Sequence, residues 1–112
     1  METLARLEQV ILERRKCDPE TSYVAHLRRQ GRQCMAQKLG EEAVEAVVAS
    51  LAGSDEELVG ESADLLFHLM VLLADREIAL DDVLAELDRR EGISGIEEKA
   101  SRESQEETSN AD

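Results

Sequence analysis

Five carboxylates in two short patterns are the residues of this 112-residue chain best suited to chemistry. The first pattern is Glu41-Glu42-x-x-Glu45 and the second is Glu61-x-x-Asp64. On an α-helix, residues three apart share a face, with Cβ atoms about 5–6 Å apart. Glu42 therefore pairs with Glu45, and Glu61 with Asp64. Four carboxylates brought to one place repel unless a cation lies between them, and an all-oxygen donor set suits a hard ion such as Mg²⁺ or Mn²⁺. Val44, Val47 and Val48 flank the first pair, and Ala63, Leu65 and Leu66 the second. Acids set among core residues are costly unless paired or metallated. The competing reading is a solvated helix face, in which Lys38, one turn earlier, serves Glu41 and Glu42 as an ion-pair partner. His68 follows Asp64 by four residues and is expected as a core histidine bonded to a carboxylate. No Glu-x-x-His pattern accompanies it, which disfavours a di-iron site.

These acids need two neighbouring helices, and the surrounding sequence predicts them. Residues 33–51 carry Met35, Leu39, Ala43, Val47 and Leu51 at helical spacing, with Ala36, Val44 and Val48 widening the stripe. Gly53-Ser54-Asp55 ends that helix and opens the next, over about 55–76. Ser54 with Glu57 three residues on fits a capping box. Helices joined by so tight a turn pack antiparallel. Glu45 and Glu61 lie at similar heights from the turn, so the two acid pairs can face each other. Gly40 and Gly60 precede the acids. A close approach of ligand or backbone would account for Gly40, whereas Gly60 is read as tolerated.

The rest of the chain also reads as helix. Leu4, Leu7 and Ile11 form a stripe over 3–16, and Asp18-Pro19 stops it. Thr21 or Ser22 caps a short helix carrying Tyr23, Val24 and Leu27, which ends near Gly31. A last helix begins after Leu80, with Asp81 and Asp82 at its positive end, and stops before Gly92. From 103 onward the chain is acidic, without a base or bulky apolar group, and is expected to be disordered.

Composition bounds the partners. Twenty-six acids against 13 bases give a net charge of −13. That charge opposes nucleic acid and anionic membranes, and a phosphate ligand would need a bridging cation. Cys17 and Cys34 stand alone and read as reduced thiols. The stretch METLARLEQVILERRK lacks an apolar leader, and no run is long enough to span a bilayer. A soluble cytoplasmic protein is expected. LLFHLMVLL (65–73) is apolar around most of a helix, which in so small a domain calls for a second chain to cover it. A homodimer or larger assembly through this helix follows.

KLGEEAVEAVVA (38–49) followed by ESADLLFHLMVLLA (61–74) resembles the phosphoribosyl-ATP pyrophosphatase family of histidine biosynthesis. This is a branch of the all-α, MazG-like NTP pyrophosphatases. DPETSYVAHLRRQG (18–31) and LDDVLAELDRREGISGIEEKASR (80–102) are similar to its flanking segments. The resemblance implies a MazG-like helical bundle of four to five helices with a dimeric four-helix-bundle core. The domain would cover 1–92, with 93–102 ordering on substrate and 103–112 as an acidic tail. It implies Mg²⁺ held by Glu42, Glu45, Glu61 and Asp64, and hydrolysis of phosphoribosyl-ATP to phosphoribosyl-AMP and pyrophosphate. Glu41 is the candidate to orient the attacking water. Lys38, Lys99 and Arg102 are candidate phosphate contacts, and Tyr23 could stack on a base or pack. Where the family often has serine, Gly60 stands here. Some relatives are fused to a cyclohydrolase domain; at this length the chain is expected to be the monofunctional form. Two other readings compete: a house-cleaning pyrophosphatase of non-standard nucleotides, and a non-enzymatic helical dimerisation module.

Overall fold

Helices account for most of the described backbone, in keeping with the alanine-, leucine- and glutamate-rich composition. The computed structural model describes residues 2–91. Five helices follow one another: α1 (Glu2–Arg14), α2 (Tyr23–Gln30), α3 (Arg32–Ala52), α4 (Asp55–Asp75) and α5 (Leu80–Arg90). There is no strand among the described residues. The fold is the all-α, MazG-like helical bundle expected. Lys99 and Arg102, and the segments 93–102 and 103–112, lie outside the described residues.

Each junction has a local cause. Ser22, rather than Thr21, caps α2: its hydroxyl accepts from Ala25 N–H at 3.2 Å and donates to the Arg14 carbonyl at 3.1 Å. One buried oxygen thus starts α2 and ties it to the end of α1. Gly31 adopts φ 102°, a conformation L side chains rarely take, and lets α2 turn directly into α3. Ser54 caps α4 by accepting from Glu57 N–H. Gly53 before it has no room for a side chain, because a Cβ there would come within 2.7 Å of Glu57 Oε2 and 3.0 Å of the Ala49 carbonyl oxygen. The α3–α4 turn is consequently tight, and the two helices pack along their length.

The described residues divide after Leu80. In the first unit α1 packs on α4, α2 on α3, and α1 on α2. Ile11, 1% exposed, joins Leu27, Met35, Val71 and Ala74 in the core. Burying a side chain of this size contributes about 2 kcal/mol. Arg15 donates to the Ala74 carbonyl, and Arg32 pairs with Asp75, so two bases close the negative end of α4. In the second unit, α5 carries Glu86 bonded to both Arg89 and Arg90.

One expectation is only half met. Met35 is buried, yet Val47 and Leu51 of the same predicted stripe stand 57% and 83% exposed. Val44, Val48, Val59 and Leu66 are open as well. The α3–α4 hairpin leaves its apolar outer face uncovered by the other helices of the first unit.

Candidate metal centre

The i, i+3 geometry of α3 and α4 does bring acids together. Ligand oxygens of Glu42, Glu45 and Glu61 lie within 4.8 Å of one another. Opposite ligands of an octahedral Mg²⁺ stand about 4.2 Å apart, twice a metal–oxygen bond. The spacing therefore suits one small cation. Asp64, one helical turn beyond Glu61, lies outside this tight group, although its charge is felt by both Glu42 and Glu61.

Two observations test whether a cation fits. Glu42 is 7% exposed, and its Oε2 is buried without a hydrogen-bond partner; Glu61 Oε2 is in the same condition. A buried carboxylate oxygen without a donor is costly, and a metal would satisfy both at once. The electrostatics agree. Burial, and then the neighbouring Glu45 charge, push the Glu42 carboxyl above its ordinary 4.5. Glu61 is also raised, first by close approach to the Glu45 carboxyl with which it can share a proton, then by burial and the charges of Glu45, Glu42 and Asp64. Each of these two carboxyls thus gives up its proton less readily than a free carboxyl does.

The other candidates fall into two groups. Lys38 Nζ lies 3.8 Å from Glu41 and 3.9 Å from Glu42, so it brings positive charge to the edge of the cluster. Glu41 itself is exposed, accepts from Gln37 at 3.1 Å, and stands outside the carboxylate group. Its contacts are those of a helix-surface residue. At Gly40 and Gly60 a Cβ would meet nothing within 4 Å among the described residues.

His68 is buried, as expected, but its partner differs. Nδ1 lies 2.8 Å from the backbone carbonyl of Asp64, not from a carboxylate, and Nε2 lies 3.0 Å from the Tyr23 hydroxyl. Tyr23 stacks near Phe67, at 6.1 Å between centroids, and remains 48% exposed. The four-residue step from Asp64 signalled that His68 could reach that turn. Nothing in the sequence signalled Tyr23 as its second partner, because the two are 45 residues apart.

Known proteins are similar to this chain along most of its length. A family model described as phosphoribosyl-ATP pyrophosphohydrolase matches residues 4–91. A phosphoribosyl-ATP pyrophosphatase of Erythrobacter litoralis is 64% identical over 102 residues, covering 91% of this chain and 98% of that protein. Its counterpart in Novosphingobium aromaticivorans is 61% identical over 101 residues, or 90% of this chain and 94% of the relative. One from Zymomonas mobilis is 57% identical over 101 residues, with the same coverage. Matched through all five helices, including both acid-bearing ones, the chain belongs to the phosphoribosyl-ATP pyrophosphohydrolase family.

Proposed function

We propose that this enzyme hydrolyses phosphoribosyl-ATP to phosphoribosyl-AMP and pyrophosphate, a step of histidine biosynthesis, with Mg²⁺ held by Glu42, Glu45, Glu61 and Asp64. The observation that carries the reading is the pair of buried, unpartnered oxygens on Glu42 and Glu61, two carboxylates that cluster with Glu45 between α3 and α4 in a chain of this family. Bound Mg²⁺, or Mn²⁺ in its place, supplies charge that draws phosphate oxygens to an acidic surface and stabilises the transition state. The protein's own groups do the rest. The three clustered carboxylates would hold the cation, with Asp64, one turn beyond Glu61, as the proposed fourth ligand. Lys38 adds a positive charge for a phosphate oxygen. Glu41, beside Glu42 though outside the carboxylate group, is the proposed residue to orient the attacking water. Tyr23 is the proposed contact to the nucleotide.

Two copies complete the enzyme in this reading. The open valines and leucines of α3 and α4 form an apolar face of the kind that marks an interaction surface. A second copy covering it gives a homodimer with a four-helix core. No helix among the described residues is long and apolar enough to cross a membrane. A cytoplasmic setting, without nucleic acid or membrane partners, suits the net charge of −13. The test is pyrophosphate release from phosphoribosyl-ATP, dCTP, dUTP and ATP, with and without Mg²⁺. Mg²⁺-dependent release with phosphoribosyl-ATP strongly preferred supports the assignment. Preference for dCTP or dUTP would instead make the chain a house-cleaning pyrophosphatase.

A further inference from the structure

His68 joins two elements. It belongs to α4, one turn beyond Asp64, and contacts Tyr23 at the start of α2. The direction of its hydrogen bonds follows from the partners. A backbone carbonyl only accepts, so Nδ1 carries the proton and donates to the Asp64 oxygen. In the neutral ring Nε2 is then an acceptor. The Tyr23 hydroxyl has to be the donor to it. With its one proton committed to His68, the phenolic oxygen offers its surroundings lone pairs only. Phe67 lies along the phenol ring, and Ser22 caps the helix that Tyr23 begins. Yet the residue is half open to solvent, close to the turn that carries Asp64.

We propose that His68 is a positioning residue that holds the Tyr23 oxygen as a hydrogen-bond acceptor for a hydroxyl or amino donor of the bound nucleotide. The proposal deepens the pyrophosphatase reading and rests on it for the presence of a nucleotide at the acids. The carboxylates then hold the cation and phosphates, and Tyr23 selects a donor-bearing group farther along the substrate.

Steady-state kinetics at saturating Mg²⁺ test it, using whichever of phosphoribosyl-ATP, dCTP or dUTP the wild type hydrolyses. Tyr23→Phe removes the oxygen and keeps the ring. It is expected to raise KM about fivefold, the loss of one hydrogen bond, with kcat within about twofold. His68→Asn keeps a donor for the Asp64 carbonyl but no acceptor at the Nε2 position, and is expected to raise KM similarly. The double variant should be no worse than either alone. His68→Gln, whose amide oxygen reaches toward Tyr23, should restore most of the KM. A purely structural histidine would change thermal stability without this pattern. Tyr23→Phe with wild-type KM overturns the proposal, and that variant keeps the test usable should His68→Asn fail to fold. Activity on dCTP or dUTP but not on phosphoribosyl-ATP refutes the substrate assignment and leaves the KM comparison standing. A wild type inactive on all three refutes both.

Discussion

The side chains of Glu42 and Glu61 carry opposite consequences for stability and for metal binding. Folding raises both carboxyls above their ordinary 4.5. The stability they contribute is fully present below about pH 4.5 and is lost as pH rises through their folded-state titrations. Metal-free protein is therefore expected to melt at progressively lower temperature above that pH, and Glu61→Gln should flatten the decline. Mg²⁺ competes with those protons, so the melting shift produced by a fixed Mg²⁺ concentration should grow with pH over the same window. Thermal melts across pH, with and without Mg²⁺, check both signs. Glu86 behaves in the reverse sense. Hydrogen bonds from Arg89 and Arg90 hold it down to about 2, so its contribution is present above about 4.5 and is lost as pH falls toward 2. Its side-chain carbonyl resonance should stay unchanged from neutral pH until close to that value. At this scale helix spacing singled out Glu42, Glu45 and Glu61, which do cluster, and also Asp64, which lies outside that cluster and reaches it only by its charge. The partners of His68 were not legible in the sequence, because tertiary packing brings Tyr23 to it and a backbone oxygen leaves no mark in a side-chain pattern.

At the scale of the elements, short-range signals carried far. The Asp18-Pro19 stop, the Gly31 turn and the Ser54 cap placed the helix ends within about two residues of those observed. The choice between Thr21 and Ser22 could not be read locally. It is decided by the Arg14 carbonyl, which accepts from the Ser22 hydroxyl across the α1–α2 connection. Ser22→Ala loses that bond and the α2 cap together, and is expected to destabilise the fold by about 1–2 kcal/mol in chemical denaturation. Gly60 gives the opposite expectation. It lies in the second turn of α4 with open space where a Cβ would stand. Gly60→Ala should stabilise the protein by roughly 1 kcal/mol through helix propensity alone. An unchanged or lowered denaturation midpoint would mean that something outside the chain uses that space.

For the molecule as a whole, the main departure from the sequence-based expectation concerns what α3 and α4 bury. Helical periodicity assigned Val47 and Leu51 to a core, and it is silent on whether that core lies within one chain or between two. Their exposure in the single chain, beside that of Val44 and Val59, is accounted for by the proposed homodimer. Val47→Glu combined with Leu51→Glu should convert a species of twice the 12.5 kDa chain mass into one of single mass in light scattering. Helical content should be largely retained if α1–α4 packing is sufficient for folding. The central claim is narrower than the assembly: two acid pairs from successive helices meet around a divalent cation. Calorimetric titration of metal-stripped protein with Mn²⁺ tests it most directly, with wild type and Glu61→Gln side by side. Saturable binding near one ion per chain in the wild type, abolished or weakened at least tenfold in the variant, is the expected result. Absence of binding to the wild type, or equal binding by both proteins, would contradict it.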